Sequence, residues 1–219
     1  MNEKYEKAKE LVKKYHQEHL LKFYDDLDDE KKKELLDQIL TIDFDLMEKL
    51  YHDAKKPLDL KNVTVEPIDY VDKSKMTATE IKAYEEKGIE AIKANKFAVV
   101  TMAGGQGTRL EHNGPKGTFK LDVFGKGKYL FEILAENLKQ ANQTYKTTIP
   151  WYIMTSKQNN EETVNFLEKN NYFGYNKDYV TIFEQGDMPL ISSDGKLLIG
   201  KDKKIKFASD GNGGTYTSL

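Results

Sequence analysis

The sequence of 219 residues has no cysteine. Disulfides, a thiolate nucleophile and zinc–thiolate sites are therefore all excluded. No apolar run is long enough for a membrane-spanning helix. The opening stretch MNEKYEKAKELVKKYHQEHLLKFYDD is charged throughout and lacks a secretory h-region, so a cytoplasmic protein is expected. Net charge is also nearly absent. Lys and Arg number 34 against 36 Asp and Glu, a formal −2. That balance excludes a general binder of nucleic acid or of anionic membranes. Arginine is almost missing too, Arg109 being the single one among many lysines. A guanidinium kept in a chain that elsewhere uses lysine implies a contact needing the planar, two-pronged donor fork.

The length allows one or two domains with a real core. Residues 1–56 read as helices. Ala8, Leu11, Val12 and Tyr15 recur at helical spacing, and Leu35, Leu36, Ile39 and Leu40 form a second apolar face that Asp28 or Asp29 can cap. Asp43 can cap a third helix carrying Leu46, Met47 and Leu50. Residues 57–95 hold an extended connector with two prolines, then a helix opened by the capping box Thr77-Ala78-Thr79-Glu80. From residue 96 the pattern alternates: FAVVTM, a glycine loop, the helix YLFEILAENLKQAN, the strand IPWYIMTS, the helix NEETVNFLEKN and the strand YVTIFEQG. Strand–helix–strand–helix–strand is the α/β signature, with a parallel sheet covered by helices. LISSDGKLLIG reads as a hairpin turning at Asp194-Gly195. The glycine-rich DGNGG close to the last residue implies that the α/β domain continues past Leu219.

The chemistry concentrates in VVTMAGGQGTRLEHNGPKGTFKLD, residues 99–122. A glycine loop directly after a strand brings backbone N–H groups against phosphate oxygens, and ligands of open α/β sheets sit at that strand end. Two stock motifs fail on it. The dinucleotide fingerprint G-x-G-x-x-G breaks at Leu110. The P-loop pattern nearly occurs at Gly195–Lys201, but Asp202 stands where a magnesium-binding hydroxyl belongs. What remains is a phosphate loop with two cations, Arg109 and Lys116. His112 lies in the same loop, within possible reach of a phosphate. His16 and His19 match no metalloprotease spacing. Trp151 and the aromatic cluster Tyr172, Phe173 and Tyr175 read as core packing.

AGGQGTRL followed by PKG, together with IPWYIMTS, NYFG, EQGDMP, SDGK and DGNGG, resembles the UTP-dependent sugar-1-phosphate uridylyltransferases, the UDP-sugar pyrophosphorylases. These motifs are most similar to the UDP-N-acetylglucosamine pyrophosphorylase branch, and the resemblance extends over essentially the whole chain. It implies a Rossmann-like nucleotidyltransferase sheet preceded by a helical N-terminal region, with residues 96–219 as the N-terminal part of the nucleotide-binding catalytic domain. It implies UTP and a sugar 1-phosphate as substrates, with no nucleic acid and no membrane as partner. N-acetylglucosamine 1-phosphate is the first expectation. Glucose 1-phosphate is the alternative within the same enzyme class, and an inactive truncated nucleotide-binding module is the alternative outside it.

By the same resemblance, Met102, Ala103, Gly104 and Gly105 would hold uridine and its phosphates through backbone groups, with Gly211 approaching the nucleotide closely. Gln185 would read the uracil edge, for which an amide offers both a donor and an acceptor. Asn212 would contact the sugar. Lys116 would neutralise the α-phosphate, and Arg109 would clamp the β- and γ-phosphates. Mg²⁺ is the implied cofactor, with its aspartate ligand and a later catalytic lysine expected beyond Leu219. Glu111 departs from the family pattern, which commonly has glycine there. A position needing positive φ would strain a glutamate.

Overall fold

The structure is a computed structural model that describes residues 2–57, 63–123 and 125–219. In chain order its regular elements are α1 (Asn2–Lys14), α2 (Asp29–Thr41), α3 (Phe44–Lys55), α4 (Ala78–Lys93), β1 (Val99–Met102), β2 (Lys120–Val123), β3 (Lys126–Tyr129) and α5 (Leu130–Tyr145). There follow β4 (Trp151–Thr155), α6 (Asn160–Lys169), β5 (Val180–Glu184), β6 (Asp187–Pro189), β7 (Phe207–Ser209) and α7 (Thr215–Ser218). The chain divides into two compact units, residues 1–67 with 188–208, and residues 68–187 with 209–219. Among the described residues no helix is long and apolar enough to cross a membrane.

In the first unit α2 and α3 open on side-chain caps. The Asp28 carboxylate accepts from the Lys31 N–H at 2.9 Å and opens α2, and that of Asp43 accepts from Leu46 N–H at 2.9 Å and opens α3. Each cap satisfies a donor that the first helical turn leaves orphaned. Ala8, Val12, Leu35, Leu36 and Ile39 are buried between the helices. Leu197 and Ile205 join this core, so the segment 188–208, read from sequence with the nucleotide-binding region, packs with the helices instead. Two glutamine amides hold its backbone. Gln17 donates to Gly195 O at 2.8 Å and accepts from Leu197 N–H at 3.0 Å. Gln38 donates to Ile205 O at 3.3 Å and accepts from Ile205 N–H at 3.1 Å. The Asp194-Gly195 turn forms as read, with Gly195 at φ 84°, and Ile191 bridging Leu197 in antiparallel fashion. The near-P-loop at residues 195–201 runs directly into a turn at residues 201–204, not into a helix, so it is not a phosphate loop.

In the second unit the Thr77 capping box is present in both directions, Thr77 N–H to Glu80 at 2.8 Å and Glu80 N–H to Thr77 Oγ1 at 3.3 Å. Of the connector before it, residues 58–62 lie outside the described residues. Strands β1, β4 and β5 form a parallel sheet in the order β1-β4-β5. The central strand is the most buried, with Trp151, Ile153 and Met154 at 0% exposure. That follows from the apolar run Trp151–Met154, since a parallel strand is covered on both faces. Trp151 packs edge-on against Phe131 and Tyr175, and its indole N–H reaches Thr101 Oγ1 at 2.8 Å. Tyr172, Phe173 and Tyr175 are packing residues, as read from sequence. The antiparallel pair β2–β3 was not legible beforehand. KLDV alternates over only two apolar residues and KGKY over none, too little from which to read a strand.

Candidate active site

The polypeptide leaves β1 still paired, Ala103 N–H donating to Met154 O at 2.7 Å, and then turns through the glycine loop. The loop closes on itself. Gly107 N–H donates to Gly114 O at 2.9 Å and Lys116 N–H to Gly105 O at 3.0 Å, making an antiparallel bridge between Gln106 and Pro115. Between the bonded N–H groups of Ala103 and Gly107, those of Gly104, Gly105 and Gln106 donate to no acceptor among the described residues. All three residues line a cleft of ≈ 1020 Å³. Unpartnered backbone donors on the lining of a concavity are available to the oxygens of an anion.

Glycine is required at three points of this loop for different reasons. A Cβ on Gly104 would lie 2.5 Å from Gln185 Nε2, so glycine lets the amide pack flat on the loop. A Cβ on Gly107 would lie 2.8 Å from the His112 ring. A Cβ on Gly117 would lie 2.0 Å from Phe131 Cε2, inside the buried aromatic core. Gly105, in contrast, has open space where a Cβ would stand.

The cleft brings together the nine residues to which the resemblance gives a role. Met102, Ala103, Gly104 and Gly105 come from the end of β1, Arg109 and Lys116 from the loop, Gln185 from the exit of β5, and Gly211 and Asn212 from the turn after β7. Arg109 and Lys116 are exposed and make no ion pair or side-chain hydrogen bond among the described residues. Among the described residues they are the only charged side chains on the lining, so the cleft is positive. Gln185 is 5% exposed, and its N–H is fixed by Thr155 O at 2.9 Å. Gly211 has φ 85°, the left-handed region that favours glycine.

Two loop residues take other places. His112 does not line the cleft. Its Nε2 lies 2.7 Å from Thr118 Oγ1, whose own hydroxyl donates to Pro115 O at 2.9 Å. Thr118 therefore accepts, and His112 Nε2 carries the hydrogen. Glu111 is exposed, also off the cleft, at φ 53° and ψ 29°. The left-handed geometry that glycine would meet without strain is thus present, and a glutamate holds it. Sequence reasoning missed the apolar wall supplied by Leu130, Ile133 and Leu134 of α5, because nothing in a helix's periodicity says which of its ends faces a ligand.

The lining has no carboxylate, and no cluster of His, Asp and Glu among the described residues suits a metal ion. The donor set fits phosphate oxygens and does not fit Mg²⁺.

The sequence model of the UTP–glucose-1-phosphate uridylyltransferase family matches residues 43–219, and the chain belongs to that family. It is similar to UDP-N-acetylglucosamine diphosphorylase 2 of Arabidopsis thaliana, 34% identical over 227 residues that cover 96% of this chain and 44% of the relative. UDP-N-acetylglucosamine pyrophosphorylase of Saccharomyces cerevisiae is 41% identical over 140 residues, 62% of this chain and 29% of the relative. Among solved structures, the uridine diphosphate N-acetylglucosamine pyrophosphorylase of Trypanosoma brucei, in complex with an inhibitor, superposes with a TM-score of 0.74 at 27% identity, over 96% of this chain and 44% of that one. The chain thus spans less than half the length of these relatives.

Proposed function

We propose that this chain forms the UTP-binding part of a uridylyltransferase that joins UTP and N-acetylglucosamine 1-phosphate into UDP-N-acetylglucosamine and pyrophosphate. The observation that carries the reading is the convergence on one cleft of three unpartnered backbone N–H groups, a buried amide and two free cations, in a chain similar to UDP-N-acetylglucosamine pyrophosphorylases. The parallel β1-β4-β5 sheet is, in this reading, part of a Rossmann-like nucleotidyltransferase sheet, and residues 96–219 contribute the first part of its domain.

An oxygen of the sugar 1-phosphate attacks the α-phosphorus of UTP in line, the bond to the β-phosphate oxygen breaks, and pyrophosphate leaves. No protein nucleophile is needed, so catalysis is positioning plus neutralisation of charge. Lys116 screens the approach of one anion to another at the α-phosphate. Arg109 donates two parallel hydrogen bonds to the departing pyrophosphate. The Gly104–Gln106 amides supply fixed dipoles that need no reorganisation. Gln185 holds the uracil edge, and Asn212 meets the sugar. Any magnesium ion accompanying the triphosphate would take its protein ligands from residues other than those lining this cleft.

Glucose 1-phosphate is the second reading, favoured by the description of the matching family itself. Pyrophosphate release from UTP by the complete protein, measured with each sugar 1-phosphate in turn, separates the two. Release with neither would refute the proposal.

A further inference from the structure

Asn159 sits at the start of α6, outside the cleft lining, and is 0% exposed. A buried amide must find partners for its donors and its acceptor. Its Oδ1 accepts from the N–H of Ser156 at 2.9 Å and from Ser156 Oγ at 3.0 Å. Its Nδ2 donates across to the glycine loop, to Ala103 O at 2.9 Å and, at longer range, to Gly105 O at 3.5 Å. The loop after β4 is thereby tied to the loop after β1.

The consequence follows from peptide planarity. In a trans peptide the C=O of one residue and the N–H of the next lie in one plane and point opposite ways. Holding the Ala103 carbonyl toward Asn159 turns the Gly104 N–H the other way. Holding the Gly105 carbonyl, which Lys116 N–H also grips at 3.0 Å, does the same for the Gln106 N–H. Gly104 and Gln106 are two of the three loop residues whose N–H groups have no partner among the described residues and which line the cleft. We infer that Asn159 is a positioning residue for nucleotide binding: it never touches the ligand, and it sets the direction of the amides that receive the phosphates. This inference rests on the UTP-binding reading above.

The test uses Asn159→Asp and Asn159→Ser in the complete protein. The aspartate keeps the acceptor for Ser156 and turns an oxygen toward the two carbonyls. The serine keeps a helix-capping residue but is too short to span to the loop. Calorimetric titration with UTP is expected to show binding weakened about tenfold or more in both, the scale of one lost buried polar contact. Ser156→Ala, which removes only the hydroxyl contact, and Tyr175→Phe, which loosens the same unit away from the loop, are expected to bind UTP as the unsubstituted protein does. A merely structural role predicts the reverse pattern: lowered melting temperature with unchanged UTP affinity in the folded Asn159 variants. UTP affinity within about twofold of the unsubstituted protein in either folded variant overturns the inference. Amide exchange at Gly107 and Lys116, whose N–H groups bond within the loop, gives a second readout that needs no ligand. It is expected to speed up at least tenfold in the variants, and unchanged exchange also overturns the inference. If the unsubstituted protein itself binds no UTP, the functional reading fails alone, and exchange still decides whether Asn159 anchors the loop.

Discussion

Replacing Gly105 by alanine adds a methyl group at a point where nothing lies within 4 Å and φ is not positive. Folding therefore meets no clash. The variant is expected to gain about 0.4–1 kcal/mol of stability, because the unfolded chain loses freedom. Binding is another matter. Phosphate oxygens received by the Gly104–Gln106 amides would sit about 2.9 Å from the donor nitrogens. The open space beside Gly105 is then the space the triphosphate fills. A methyl group forced into a filled site costs roughly 1–3 kcal/mol, or about a 5- to 150-fold rise in Kd for UTP. Gly104→Ala gives the complementary case. Its methyl would stand 2.5 Å from Gln185 Nε2, so the buried amide must move and stability falls even without ligand. Thermal denaturation and calorimetric titration with UTP on the same preparations separate the two effects. A Gly105→Ala protein that is more stable and binds UTP unchanged would refute the claim that the loop backbone meets the nucleotide.

Gly117→Ala is expected to destabilise the fold by about 1–3 kcal/mol or more, since its methyl would lie 2.0 Å from a Phe131 carbon, and chemical denaturation reads it directly. Glu111→Gly should raise the melting temperature slightly. Relief of left-handed strain, about 1–2 kcal/mol, outweighs the entropic cost of a new glycine, about 0.4–1 kcal/mol. Arg109→Lys is expected to lower the pyrophosphorolysis rate about tenfold or more without altering stability, and equal rates would show that charge suffices without the fork. Tyr175→Phe strands the carbonyl of Ile149 and the Asn142 amide, which the Tyr175 hydroxyl now serves, at a cost of about 1–3 kcal/mol. Burial pushes the Tyr175 phenol pKa up, against a smaller opposing pull from the Asn142 amide. Its contribution to stability is therefore whole below the ordinary tyrosine value of about 10 and is lost as pH rises past it. Denaturation midpoints of the two proteins should converge above that pH.

Residues whose role is local were readable in one dimension. Asp28, Asp43 and Thr77 cap helices because a side chain can reach only the next turn, and the alternation of strands and helices from residue 96 follows from periodicity alone. The glycine loop, Arg109 and Lys116 were visible as a cluster because they are neighbours in the chain. Gln185, Gly211 and Asn212 were placed with them only through resemblance. Gln185 shares their cleft because the parallel pairing β1-β4-β5 brings the ends of strands far apart in sequence to one side, while Gly211 and Asn212 reach it from β7, which pairs with β6.

Tertiary structure decided the rest, wherever a long-range contact outweighs a local preference. NYFG is the clearest instance: Asn171, Tyr172 and Phe173 take φ of 46°, 49° and 53° in succession, which no residue-by-residue reading would choose. Each such step costs about 1–2 kcal/mol. It is held by Phe173 packing near Tyr129 and Phe166, and by Lys139 Nζ donating to Phe173 O at 2.6 Å. The segment 188–208 joins the helical unit because the amides of Gln17 and Gln38 each satisfy a backbone donor and acceptor there. Asn159 looks like any polar residue before a helix. Its meaning arises only when folding sets it 2.9 Å from the carbonyl of a residue 56 positions earlier.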